Sequence, residues 1–289
     1  MTNNTPSTIT GPSLFFKAIG HMLMFLAIQV LAQTLVLVVT MLVTHQQLEE
    51  LDATGTIISL IISSLTAIGL FVWLKWSPVA RSYVRSRPWA VLCWCVVASL
   101  GTIIPSLYLQ EQIPPMPDWM EDMASQTDAV FREMSSTRGG YLVIALLAPV
   151  AEELVFRGAV LRTLLKWQPS RPWLMIALSA LLFAISHLNP AQMPHAFLIG
   201  LLLGWLYMRT KSVVPGIAYH WVNNTVAYVL LKLYPSSDIG LSDILGGQTK
   251  VLLAVAFSLC ILLPALYQLH LRMKPASGEE SKTETVSTE

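Results

Sequence analysis

The chain has 289 residues, 54% of them hydrophobic and 12% charged, with a net charge of +1 and a mean hydropathy of +0.59. A soluble globular domain carries about 25% charged residues, so the composition excludes that class, and the near-neutral balance excludes a nucleic-acid footprint. Three cysteines, Cys93, Cys95 and Cys260, all lie in apolar stretches and exclude a disulfide framework; Cys93-Trp94-Cys95 lacks a second ligand pair and reads as small apolar filler.

In chain order, residues 1–12 form a polar tail without the basic start or cleavage site of a signal peptide. A spanning helix needs about 20 mainly apolar residues. Such runs occur near 15–43, 55–75, 88–109, 140–161, 173–188, 195–208, 213–231 and 250–271. The fifth and sixth are short, which predicts a broken, tilted or buried segment. The tail from 274 to 289 is polar and charged and reads as disordered. The expected fold is therefore all-α: a polytopic bundle of about eight spanning helices.

The connections support one orientation. Lys75, Arg81, Arg85 and Arg87 follow the second run, Arg162, Lys166 and Arg171 the fourth, Arg209 and Lys211 the sixth, and Arg272 and Lys274 the last. With eight spans and both termini cytoplasmic, every basic cluster falls on the cytoplasmic side. Segment 110–139 is then the long external stretch, mostly acidic through Glu111, Asp118, Glu121, Asp122, Asp128 and Glu133. Within it, Trp119, Met123, Val130, Phe131 and Met134 are spaced for a rough apolar helix face. That helix is expected on the membrane surface or over the bundle. The chain divides into N-terminal helices with the external segment (13–139), a core at 140–231, and an external loop with the last helix at 232–273.

An acid within a spanning helix costs roughly 2.5–3.5 kcal/mol on insertion scales and marks function by default. Carboxylates occur inside one run only, as Glu152 and Glu153 in APVAEELVFRGAV, with Arg157. Glu153 and Arg157 share a helix face in the favourable order. Glu152 is rotated by about 100° from Glu153, so it needs another partner. His187, one turn after Phe183 on the fifth run, and His220, one turn before Asn224 on the seventh, are the candidates. A lone intramembrane histidine is most often a hydrogen-bonded packing residue. Two of them with an amide and an unpaired acid can hold a water or a metal. The carboxylate can take a proton from water, the imidazoles can relay it or ligate a metal, and the amide can donate to an oxyanion. His195 reads as interfacial, and His21, His45 and His270 as solvated helix-end residues. Gly200 and Gly204 read as a close-packing GxxxG.

Glu152-Glu153-x-x-x-Arg157, Phe183-x-x-x-His187 and His220-x-x-x-Asn224 resemble, in order, the three motifs of the CAAX-protease and bacteriocin-processing (CPBP, or Abi) family, which includes the prenyl-protein endopeptidase Rce1. The resemblance covers about residues 140–231. It implies an intramembrane endopeptidase in which Glu152 activates water, His187 assists as a partner base or a metal ligand, His220 and Asn224 ligate a metal or form the oxyanion site, and Glu153, Arg157 and Phe183 support them. It leaves open whether Glu152, His187 and His220 hold a divalent metal such as zinc or work without one. The implied partners are the lipid bilayer and a membrane-associated peptide or protein, prenylated or not. Two other functions compete: a non-catalytic adaptor or immunity protein of the same fold, and a proton or cation transporter using the two glutamates. One geometric tension arises from the expected spans. They place Glu152 and His220 about 12–15 Å from the cytoplasmic ends and His187 about 20 Å, so the fifth helix would have to start deeper in the cytoplasm or tilt.

Overall fold

A computed structural model describes residues 11–45, 51–78, 81–234 and 239–274. Residues 1–10 and 275–289, where the two polar tails were expected, lie outside the described residues, as do 46–50, 79–80 and 235–238. Those described are helical, without a strand.

The helices are α1 (Gly11–Thr44), α2 (Ala53–Trp73), α3 (Arg81–Arg85), α4 (Trp89–Glu111), α5 (Asp118–Ser136), a continuous α6 (142–167), α7 (Pro172–Ser186), α8 (Met193–Thr210), α9 (Val214–Leu233), α10 (Leu241–Leu245) and α11 (Gln248–Arg272). Every apolar run of the sequence is a helix. Four of them, from α1, α2, α4 and α11, are long and apolar enough to cross a membrane. The protein is an integral membrane protein.

Local sequence sets several helix ends. The Asp52 carboxylate accepts from the Gly55 amide at 2.7 Å and caps α2. Pro172 opens α7 at a position where no amide is needed. Lys211 takes a left-handed φ of 53° and turns the chain from α8 into α9. Thr210, Ser212 and Val213 are buried, whereas Lys211 between them is exposed.

α6 is the central element. It touches α1 and α2 on one side and α7, α8 and α9 on the other. The largest apolar core joins Met22 and Phe25 of α1, Phe71 of α2, Phe156 and Leu161 of α6, and Ile176 and Phe183 of α7. A second core binds α4 and α11 to α8 and α9 through Cys95, Leu203, Tyr219 and Leu269. Gly200 and Gly204 face Ala180 and Ile176 of α7 so closely that an added Cβ would lie 2.8 and 2.7 Å from their side chains. The GxxxG is thus a packing contact.

α5 covers the bundle, against α2 and α9. Met134 is buried and Phe131 packs beside Ile57 and Val143, whereas Trp119 and Val130 face outward. The Tyr228 hydroxyl donates to the Ser135 carbonyl at 2.9 Å, and Arg132 Nη1 donates to the Tyr234 carbonyl at 3.0 Å.

The expected mismatch between Glu152 and His187 closes because α6 runs to Trp167, six residues past the expected end at 161; His220 lies only six residues into α9 and still meets Glu153. Arg162 and Lys166 continue the helix, and Lys166 sits in its last turn, where a cation suits the helix dipole. Glu152 then lies 15 residues from the end of α6 and His187 15 residues from the start of α7, in each case about 20 Å.

Candidate functional site

α6 is not a uniform α-helix. Leu142–Leu147 and Glu153–Leu161 are π-helical, separated by the α-helical turn Ala148–Glu152. π-Helical turns are rare and frequent at functional sites. Glu152 ends the α-turn and Glu153 starts the second π stretch.

Glu153 and Arg157 are fully buried, and Arg157 Nη1 donates to Glu153 Oε1 at 2.8 Å. The guanidinium also donates from Nη2 to the Gly200 carbonyl at 3.4 Å and lies 4.4 Å from the centre of the Phe183 ring, a cation–π contact. Glu153 Oε1 accepts a second hydrogen bond, from His220 Nδ1 at 3.2 Å. Its other oxygen, Oε2, has no hydrogen-bond partner among the described residues and lies against Gly216 of α9. A Cβ there would come within 2.5 Å of it, so glycine is what lets the carboxylate approach α9.

A carboxylate paired with arginine is ionised and can only accept. His220 Nδ1 therefore carries the proton, and Nε2 is left with a lone pair. That Nε2 lies 3.7 Å from Glu152 Oε2, and the Glu152 side chain is 18% exposed. The separation is too long for a direct hydrogen bond and suits a shared water.

His187 caps the end of α7. Its Nδ1 lies 2.8 Å from the Phe183 carbonyl, which can only accept, so Nδ1 again carries the proton and Nε2 the lone pair. The Phe183 ring meets His187 edge-on at 4.7 Å and His220 at 5.9 Å. Asn224 is tied elsewhere: its Nδ2 donates to the Ile144 carbonyl at 2.9 Å, and its Oδ1 accepts from Asn223 Nδ2 at 3.3 Å. One amide N–H remains for another acceptor.

The structure thus brings Glu152, Glu153, Arg157, Phe183, His187 and His220 to one cluster, with Asn224 one turn further along α9. One histidine departs from the sequence reading. His21, expected to be solvated, is buried against Phe71 and Trp76; it sits about a third of the way along an apolar helix whose partners only the tertiary fold supplies. His195 follows Pro194 at the start of α8, as expected, and is half-buried. His45 and His270 are exposed, as expected.

A divalent metal such as zinc needs convergent donors. Among the described residues no three His, Cys, Asp or Glu side chains group closely enough to enclose an ion; the donors that would face one are Glu152 Oε2, His187 Nε2 and His220 Nε2, the last with its Nδ1–H held by Glu153 as the second nitrogen of a ligating histidine usually is.

No curated protein and no solved structure matches the chain. Residues 135–226 match the family model described as Type II CAAX prenyl endopeptidase Rce1-like. This span runs from the end of α5 into α9 and contains Glu152, Glu153, Arg157, Phe183, His187, His195, Gly216, His220 and Asn224. Over residues 135–226, about a third of its length, the chain is therefore similar to the Rce1-like domain of the CPBP family.

Proposed function

We propose that the protein is an intramembrane endopeptidase in which Glu152 activates water against a peptide bond of a membrane-associated substrate. The observation that carries this reading is the 3.7 Å gap between Glu152 Oε2 and His220 Nε2, set beside a buried Glu153–Arg157 pair within the Rce1-like span. Both atoms are acceptors, so a water between them donates one hydrogen to each. Glu152 takes one proton as the oxygen adds to the carbonyl carbon of the scissile bond. The tetrahedral intermediate collapses with cleavage of the C–N bond, and the proton passes to the leaving amine.

Glu153 does not act on the substrate in this scheme. It fixes the His220 tautomer and ring orientation, as second partners of functional imidazoles do. His187 presents Nε2 as an acceptor and serves as a proton relay. Since neither imidazole offers a free N–H, the spare amide N–H of Asn224 is the neutral donor that could meet the oxyanion. CAAX-type processing of a prenylated C-terminus is the substrate class that the family description favours.

The test is cleavage of a peptide library, including farnesylated members, by the purified protein in detergent, read by mass spectrometry. We expect the wild type to cleave and Glu152→Gln to be inactive with an unchanged melting temperature. Wild-type turnover by Glu152→Gln would remove Glu152 as the base, and no cleavage of any member by wild type would remove the protease reading.

A further inference from the structure

Asn224 is the donor that the scheme above assigns to the oxyanion, and its orientation depends on a break in the backbone of α6. In the π-helical stretch Leu142–Leu147 the hydrogen bonds run five residues back: the Ala148 amide donates to the Val143 carbonyl and not to Ile144. One step on in that register, the donor for the Ile144 carbonyl would be residue 149. Residue 149 is proline, which has no N–H. The carbonyl of Ile144, a buried residue, is thus left without a backbone donor. An unpaired buried carbonyl is costly, and Asn224 Nδ2 donates to this one at 2.9 Å.

This anchor fixes more than a distance. A carbonyl only accepts, so the atom facing it is Nδ2 and the amide cannot flip. On the other side Asn223 Nδ2 donates to Asn224 Oδ1 at 3.3 Å. With Oδ1 and one Nδ2 hydrogen both committed, the amide plane is set and one N–H is free. Pro149 lies three residues before Glu152, in the α-helical turn that Glu152 ends. The proline therefore ties the helix that carries the base to the helix that carries the oxyanion donor.

We propose that Pro149 is a positioning residue for the reaction: it keeps the Ile144 carbonyl free for Asn224, and through that bond it orients the remaining Asn224 N–H toward the oxyanion. The inference rests on the endopeptidase reading. Pro149 touches neither water nor substrate in this role. A residue with an N–H at this position gives Ile144 a competing donor within α6 and loosens Asn224.

The test is steady-state cleavage of a farnesylated CAAX peptide by the full-length protein in detergent. Pro149→Ala and Pro149→Ser are each made alone and together with Asn224→Ala. Alanine and serine are better helix formers than proline, so both single variants should melt at or above wild type. Pro149→Ala should nevertheless lower kcat about tenfold, part of the roughly 10²–10³ that one oxyanion donor supplies, with KM within about twofold. In the Asn224→Ala background the same change should alter kcat by less than about twofold, because the anchor no longer holds an amide. Wild-type kcat in both proline variants overturns the proposal. So does a loss of equal size with and without Asn224, since the proline would then serve the shape of α6. Failure of both variants to fold overturns it for the same reason. These three results leave the endopeptidase reading standing, whereas a wild type that cleaves no peptide refutes that reading and the inference with it.

Discussion

The two adjacent glutamates do opposite things with the same functional group. Glu153 is sealed between Arg157, His220 and Gly216, whereas Glu152 keeps some exposure and only a distant imidazole. Glu153→Ala would leave Arg157 charged and unpaired in the interior. Breaking such a pair costs roughly 3–5 kcal/mol, so the variant should melt well below wild type in a thermal shift assay and lose activity with its stability. Glu152→Ala removes no buried partner and should lose activity alone. Gly216→Ala tests the same pocket from the other side: its Cβ would push the Glu153 carboxylate off His220, and turnover should fall although neither residue is changed. These residues were legible in the sequence because acids in an apolar run are conspicuous and the i, i+4 spacing names the partner. The role of Gly216 was not legible. It depends on which helix α9 meets, and single-chain periodicity does not carry that information.

At the scale of elements, the helices follow hydropathy, and the errors fall where charge and helix end coincide. Hydropathy alone ends the fourth run before Arg162 and Lys166, although cations near a helix C-terminus favour the last turn. The π-helical stretches of α6 left no mark in the sequence, since they reflect hydrogen-bond register and not composition. The contact between α7 and α8 gives a direct check. Gly200 approaches the Ala180 backbone, where a Cβ would lie 3.0 Å from its Cα, and neither helix can yield without moving the other. Gly200→Val should destabilise the protein by about 1–3 kcal/mol, the range for overpacking. Gly20→Ala, where an added Cβ meets nothing within 4 Å, is the control and should melt at or slightly above wild type.

For the whole molecule, the helical membrane bundle was evident from composition, but the number of crossings depends on elements that are short or carry charge. We propose eight crossings with both termini cytoplasmic, on the strength of the basic connections. Single cysteines at Arg85 and Asp122, in a background without Cys93, Cys95 and Cys260, test this with a membrane-impermeant thiol reagent. In intact cells Asp122→Cys should be labelled and Arg85→Cys should not; the reverse pattern would invert the topology.

The hydrogen bond between Glu153 and His220 joins residues 67 positions apart in the chain. During synthesis at about 5–20 residues per second, α6 therefore exists for several seconds or more before α9 emerges. Over that interval Glu153 can lean on Arg157, within its own helix, but Glu152 lacks the His220 imidazole. The nascent protein carries an uncompensated acid that lipid does not solvate, so α6 should linger at a hydrated insertion site until the seventh apolar run is made. Assembly of the chemistry and completion of membrane insertion would then be a single event.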